Sequence, residues 1–73
     1  MKQSLINELK NIAIQNNCLD DETVVSNVTN AMDAMILQNK IYDYSLSLES
    51  ERIIISVMEK NNSVSYAFQV KRV

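Results

Sequence analysis

The sequence predicts an α+β domain, ααβββ, in which two N-terminal helices pack on one face of a three-stranded antiparallel meander sheet. Apolar side chains recur at three- and four-residue intervals in the first half of the chain, the spacing of one face of a helix. From residue 41 onward they alternate with polar ones, the period of a strand. Short polar connections separate the alternating stretches, so consecutive strands should pair antiparallel. At 73 residues the chain is expected to form one small domain, residues 1–73.

The first helix is predicted from residue 1 to about residue 15. Its apolar side chains gather on one side of the helix, and the polar side chains take the other side. The apolar stripe consists of Leu5, Leu9, Ile12 and Ala13. Because the chain has no glycine, we expect this helix to stop at Asn16 and Asn17, since asparagine tolerates left-handed backbone.

The second helix is predicted to begin at Asp20 or Asp21 and to run to about Gln38. The acidic run Asp20, Asp21 and Glu22 suits a helix start, because carboxylates accept from the free N–H groups of the first turn and complement the helix dipole. The alternative role of these carboxylates is contact with a metal ion or a basic partner. The wide apolar stripe fits the core, and its methionines leave a Met-rich partner groove as the alternative. The stripe consists of Val24, Val25, Val28, Ala31, Met32, Met35 and Ile36.

Three strands are predicted in the rest of the chain. They cover residues 41–49, 52–60 and 64–73, and polar turns at residues 49–51 and 61–62 connect them. The isoleucine-rich second strand lies in the centre. One face of each strand is expected to pack against the helices. These inward side chains are Tyr42, Tyr44, Leu46, Leu48, Ile53, Ile55, Val57, Val64, Tyr66, Phe68 and Val70.

The composition excludes most catalytic and cofactor chemistry. The chain has no histidine, which removes the usual general base, the Ser-His and Cys-His pairs and most zinc sites. It has no glycine, so glycine-rich loops that bind phosphates or dinucleotides cannot form. We therefore expect no enzyme activity, no cofactor, no metal ion and no small-molecule substrate. The lone cysteine, Cys18, rules out an intrachain disulfide and indicates a reducing compartment, the cytoplasm.

Charge and hydropathy argue against two further classes of partner. The net charge is −2, and neither half of the chain has the basic excess of a nucleic-acid interface. Base stacking beside Lys71 and Arg72 is the alternative, but we expect the neighbouring aromatic rings to face the core. No apolar run approaches the length of a bilayer span and no signal-peptide pattern is visible, so no membrane association is expected.

The sheet face opposite the helices is the predicted binding surface. Ile54 and Met58 are expected to form a small apolar patch with a polar rim, which is typical of protein interfaces, although scattered apolar residues are also ordinary on surfaces. The outer strands lack proline, so their backbone can pair with a strand of a protein partner or of a second copy. Lys71 and Arg72 have the alternative role of discouraging that pairing. The candidate contact residues are Ile54, Ser56, Met58, Ala67, Gln69 and Lys71.

Four segments follow an order that is found in a known group of domains. An acidic helix start, LDDETVVSNV, precedes a helix that ends before KIYDYSLSLE, and the strands RIIISVMEK and VSYAFQVKRV follow. Across residues 20–73 this order resembles the C-terminal domain of contractile phage tail sheath proteins and the small baseplate sheath-initiator proteins. The resemblance implies a phage origin, a place in the virion or the host cytoplasm, and binding of neighbours by strand exchange. The chain lacks the Glu-Pro-Arg type motif of the initiators and the glycines and prolines common in both families.

We therefore expect a non-catalytic protein–protein interaction module, such as a small structural or adaptor subunit of phage origin. The alternatives are a phage or plasmid inhibitor that docks on a host defence protein, as small acidic anti-CRISPR proteins do, and a simple homodimeric regulator. An assembly subunit should lose association when Ile54 or Met58 is changed to glutamate. An inhibitor that mimics nucleic acid should depend on Asp20, Asp21 and Glu22, and its binding should weaken steeply with salt.

Overall fold

The computed structural model describes residues 2–59 and 61–72. Two helices are followed by a three-stranded antiparallel sheet with the strand order β1-β2-β3, which confirms the predicted ααβββ fold. The elements are α1 (Lys2–Gln15), α2 (Asp21–Leu37), β1 (Asp43–Glu49), β2 (Arg52–Met58) and β3 (Ser63–Gln69). The predicted helix start at Met1 and the predicted strand ends at Lys60 and Val73 lie outside the described residues.

The start of α2 is held by its N-cap residue, Asp20. Its Oδ2 accepts a hydrogen bond from the backbone N–H of Thr23 over 3.2 Å, and its Oδ1 accepts one from the Thr23 hydroxyl over 2.5 Å. Asp21 and Glu22 occupy the first turn, where negative charge complements the helix dipole. The predicted capping role of the acidic run is therefore confirmed for Asp20.

α1 ends at Gln15, directly before Asn16 and Asn17 as predicted, but these asparagines do not supply the left-handed backbone of the turn. The residue with a positive φ is Cys18, at 63°, and not Asn16 or Asn17. Asn16 is buried instead: its side-chain amide donates to the Ile12 carbonyl over 2.6 Å, and its Oδ1 accepts from the Asn27 amide over 2.9 Å. Both polar ends of this side chain are thus satisfied between the two helices, and the left-handed backbone falls on a later residue.

The core lies between the inner face of β2 and the two helices. Ile53, Ile55 and Val57 have no exposed surface, because β2 has a strand on each side and is covered by the helices. Met32 and Met35 are buried in the same cluster, so the methionines of α2 belong to the core and not to a partner groove. The buried apolar residues are Leu5, Leu9, Ala13, Val24, Val28, Met32, Met35, Ile41, Ile53, Ile55, Val57 and Val70.

Two residues predicted to face the core are exposed. Tyr42 is 62% exposed, because β1 begins only at Asp43 and Ile41 fills the core position at this end of the sheet. Val25 is 42% exposed, because it projects from the margin of the buried stripe of α2. The inward alternation of the first strand therefore begins two residues later than the sequence predicts.

The second hairpin turn lies one residue earlier than predicted. Met58 pairs with Ser63, and the N–H of Glu59 donates to the Asn62 carbonyl over 2.8 Å. The turn therefore falls between Glu59 and Asn62, whereas the sequence predicts it at residues 61–62. The strand pairing decides this position, because a turn one residue later would move every partner of β2 by two residues along β3.

Candidate protein-binding surface

The outer face of the sheet, opposite the helices, carries mostly small side chains. The pairing register arranges these side chains in rows across the three strands. The rows are Asp43–Met58–Ser63, Ser45–Ser56–Ser65, Ser47–Ile54–Ala67 and Glu49–Arg52–Gln69. Five of the six predicted contact residues share this face, and the sixth, Lys71, follows the end of β3.

A row of serines separates the two large apolar side chains of this face, Ile54 and Met58. Ile54 is half-buried and Met58 is 47% exposed. They are four positions apart on β2, which corresponds to about 13 Å along a strand. Ser56 lies between them, and its hydroxyl is 2.7 Å from the hydroxyl of Ser65. The face is therefore rich in hydroxyl groups, and the small apolar patch predicted from the sequence consists of two large apolar side chains with Ser56 between them.

The loop between the helices closes one end of the outer edge of β3. The backbone N–H of Lys71 donates to Asn17 Oδ1 over 3.0 Å, and the Lys71 carbonyl accepts from the Cys18 N–H over 2.7 Å. Leu19 and Arg72 form a short parallel bridge at the same place. The loop thus occupies the pairing position beside Lys71. Among the described residues, β3 itself has no strand on its outer side.

Hydrogen bonds that flank the second hairpin show which peptide groups of β3 point outward. The Glu59 N–H donates to the Asn62 carbonyl, and the Val70 N–H donates to the Glu51 carbonyl over 2.9 Å. The even-numbered residues of β3 therefore bond to β2. In an antiparallel ladder the alternate residues direct their N–H and C=O groups away from the partner strand. The outward peptide groups of β3 are those of Ser63, Ser65, Ala67 and Gln69.

The two edges of the sheet differ in charge. β1 carries a carboxylate at each end, Asp43 and Glu49, and Glu49 forms an ion pair with Arg52. β3 has the sequence SVSYAFQ, with no charged residue and no proline. Natural proteins protect exposed edges with charges, lysine above all, or with proline. Because β3 has neither, it is the edge better suited to accept a further strand.

The inner face of β3 is only partly covered by the helices. Val64, Tyr66 and Phe68 are half-buried, and Tyr66 and Phe68 pack against the core from one side. The rings of Tyr66 and Phe68 stack with centroids 6.5 Å apart and planes inclined by 22°. A strand added to this edge would cover apolar surface of these side chains while it forms backbone hydrogen bonds. The edge therefore offers an added strand both backbone hydrogen bonds and apolar contact surface.

The acidic run has partners within the protein. Hydrogen bonds from the Thr23 hydroxyl and backbone lower the pKa of the Asp20 carboxyl below its ordinary value of 3.8. Asp21 Oδ1 lies 2.6 Å from Nε of Arg72, and Glu22 is exposed. Two of the three carboxylates considered as an alternative contact site thus form hydrogen bonds or ion pairs inside the domain.

The position of the Arg72 side chain could not be predicted from the sequence. Its side chain is only 8% exposed, and its guanidinium bonds to Asp21 of α2 and to the main-chain carbonyls of Glu49 and Arg52 beside the β1–β2 turn. The guanidinium therefore points away from the β3 edge, where the alternative role of Arg72 was to discourage strand pairing. These partners lie 20 to 51 positions away in the chain, so no local pattern signals the arrangement.

Tyr44 joins β1 to α2 through its hydroxyl, which donates to Asp33 Oδ1 over 3.0 Å. Burial, followed by this bond to a carboxylate, raises the pKa of Tyr44 above its ordinary value of 10.0. The phenol therefore stays protonated at physiological pH and links the two elements.

Residues 2–59 and 61–72 contain no group of three or more His, Cys, Asp or Glu placed to hold a metal ion. None of the helices in those ranges combines the length and apolar character of a membrane span.

Together these features define a small two-layer α+β domain with one charged and one uncharged sheet edge. Comparison of the chain with protein-family models, with curated proteins and with solved structures found no match. The resemblance of residues 20–73 to tail sheath and sheath-initiator domains stays a prediction from the sequence. Because a fold does not specify a function, the function is argued from the surface itself.

Proposed function

We propose that the protein is a non-catalytic protein–protein interaction module that binds an extended segment of a partner along the outer edge of β3. The observation that carries this proposal is the uncharged, proline-free edge with four outward peptide groups. Strand addition uses such groups for affinity, and the flanking side chains provide specificity. Beside the added strand, partly covered Tyr66 and Phe68 lie on the inner face of the sheet, and Ala67 and Gln69 lie on its outer face.

The outer face contributes a second set of contacts to this interaction. An added strand beside β3 lies next to Ala67, and Ile54 occupies the same row one strand further in. Small side chains at Ser65 and Ala67 allow a partner to approach Ile54 closely. Met58 lies two rows away from Ile54, so only a partner that extends across the serine row reaches both residues.

The biological role that fits this mode of binding is a small structural or adaptor subunit of a larger assembly. The resemblance to phage tail sheath and sheath-initiator domains favours a phage particle, with the subunit located in the virion or in the host cytoplasm. The inhibitor alternative depends on exposed acidic groups. Asp20 caps α2 and Asp21 is paired with Arg72, which weakens the argument for a surface that mimics nucleic acid.

Ala67→Pro tests the proposed edge, because it removes one outward N–H and no hydrogen bond to β2. Ala67→Ser keeps the N–H and serves as the matched control. Each variant is tagged and used to capture partners from an extract of the cells in which the protein is made. We expect Ala67→Pro to weaken capture of a partner at least about tenfold, through the lost hydrogen bond and the ring's clash with the added strand. Ala67→Ser should bind like the wild type.

Ile54→Glu tests the contribution of the outer face, and Ile14→Glu is the same substitution at a 56% exposed position on α1. We expect Ile54→Glu to reduce binding and Ile14→Glu to leave it unchanged, with circular dichroism confirming that both variants fold. Equal binding by the wild type and Ala67→Pro would overturn the proposal. Binding that instead falls steeply with salt and is lost in Glu22→Lys would identify an acidic contact.

A further inference from the structure

We infer that the strand bound at the edge of β3 is β3 of a second copy, paired antiparallel about a two-fold axis at Tyr66. This inference rests on the proposed use of that edge and names its occupant. The two sheets then join into one continuous six-stranded sheet with α1 and α2 of both copies on the same side. Because the contact is isologous, it closes after two copies and leaves only the charged β1 edges at the ends of the sheet.

The outward peptide groups of β3 are self-complementary in this register. A two-fold axis at Tyr66 places Ser65 opposite Ala67 of the second copy, and Ser63 opposite Gln69. All four are residues whose N–H and C=O groups point away from β2. Each opposed pair exchanges two hydrogen bonds, so the four symmetry-related pairs give about eight hydrogen bonds across the interface. Every outward peptide group of β3 is then used.

The side chains are also compatible with this pairing. On the inner face Tyr66 meets Tyr66 of the second copy, and Val64 meets Phe68. These residues are half-buried in a single copy, so the pairing covers the apolar surface that the helices leave exposed. On the outer face only small or uncharged polar side chains are opposed, and no like charges meet.

The closed end of β3 limits the alternative registers. The loop that contains Asn17 and Cys18 already occupies the pairing position beside Lys71. A second strand therefore cannot continue past Gln69, and the register centred on Tyr66 is the one that uses the whole of Ser63–Gln69. Arg72, whose guanidinium is held against Asp21, does not bring its charge to this edge.

The β1 edge fails the same test of self-complementarity. Its outward peptide groups are those of the inward-facing residues, and a two-fold axis at Leu46 would place Asp43 opposite Glu49 of the second copy. Two such carboxylate pairs form in the symmetric contact, and like charges directly opposite each other destabilise strand pairing. Self-association is therefore expected at β3 and not at β1.

Charge reversal at Ser65 and Ala67 tests both the occupant and the register. Changing both residues to lysine places like charges opposite each other twice across the interface, and changing both to glutamate does the same with negative charges. A third variant combines Ser65→Lys with Ala67→Glu, which places opposite charges across the interface. The three variants are compared with the wild type by sedimentation equilibrium and light scattering over a concentration series.

We expect a wild-type dimer and a dissociation constant at least about tenfold weaker in both like-charged variants. Mixing the double-lysine and double-glutamate chains in equal amounts should restore a dimer. The third variant, which carries one charge of each sign, should dimerise by itself. Restoration by mixing also shows that each like-charged chain is folded. Amide hydrogen exchange at Ser65 and Ala67 should be slower in the dimer than in dilute monomer.

Three results would overturn this inference. The first is a wild-type chain that stays monomeric up to about 1 mM. The second is an unchanged dimer in both like-charged variants, which would place the interface elsewhere. The third is a mixture of the double-lysine and double-glutamate chains that does not associate.

If the wild type is monomeric but Ala67→Pro still abolishes capture of another protein, this inference fails and the proposed function stands. If Ala67→Pro affects neither self-association nor capture, both fail.

Discussion

Replacing Arg72 with methionine tests whether a single buried guanidinium joins α2 to the sheet. Methionine retains the aliphatic part of the side chain and removes the charged group. The variant therefore loses the ion pair with Asp21 and the two hydrogen bonds to the main-chain carbonyls of Glu49 and Arg52. The packing of the chain end against the core is otherwise preserved.

The expected loss in the free energy of unfolding is about 2 to 4 kcal/mol. The side chain of Asp21 is 66% exposed, so its ion pair with Arg72 contributes only about 0 to 1 kcal/mol. The side chain of Arg72 is 8% exposed, and hydrogen bonds from a charged donor are worth about 1.5 to 3 kcal/mol each, partly offset here by the apolar packing of methionine. A domain of 73 residues has a total stability of about 4 to 11 kcal/mol, so the loss is large.

Urea unfolding followed by circular dichroism measures this loss, at one low protein concentration because self-association would add to the apparent stability. Lys71→Met is the matched control, since Lys71 is exposed and carries the same change from cation to thioether. We expect Lys71→Met to change the stability by less than about 0.5 kcal/mol. An Arg72→Met variant as stable as Lys71→Met would refute the assigned role of the guanidinium.

Two further pairs of substitutions test the cap of α2 and the core. The pKa of Asp20 is lowered in the folded protein, so its stabilising effect is complete above the unfolded value of 3.8 and is lost as pH falls through the folded pKa. Asp20→Asn should keep the cap and flatten this part of the acid dependence, whereas Asp20→Ala should be less stable than Asp20→Asn at every pH. An unchanged acid dependence of urea unfolding in Asp20→Asn would contradict this. Ile55→Ala should cost about 2 to 5 kcal/mol because Ile55 is fully buried on the central strand. Ser56→Ala, on the outer face, should cost less than about 1 kcal/mol, and equal losses in the two variants would contradict the assigned faces of β2.

The types and order of the elements could be predicted because each follows from a local pattern. The run Ile53, Ile54 and Ile55 indicates the strand, and the period of two places Ile53, Ile55 and Val57 together on the face that is buried. The hydroxyl of Thr23 and the carboxylate of Asp20 are three residues apart, so the helix start could also be read locally. The limits of the elements were less accurate. Tyr42 continues the alternating pattern of β1, yet Ile41 reaches the core instead.

The candidate site was predicted only in part. Ile54, Ser56 and Ala67 lie on one face because a strand has a period of two, and the sequence alone predicts this. The same period places Ser56 between Ile54 and Met58, which the prediction grouped in one small apolar patch. The closure of the β3 edge at Lys71 could not be predicted, because it depends on the loop between the two helices, which lies more than 50 positions away in the chain.

The sequence by itself determined the ααβββ fold and the inward face of each strand. Both follow from the identity and spacing of neighbouring residues. Only the tertiary structure decided that Arg72 turns inward to Asp21, that the inter-helix loop covers Lys71, and that Ser63–Gln69 is left as the edge for a further strand. The physical reason is that these contacts join segments far apart in the chain, and their geometry is set only when the helices and the sheet pack together.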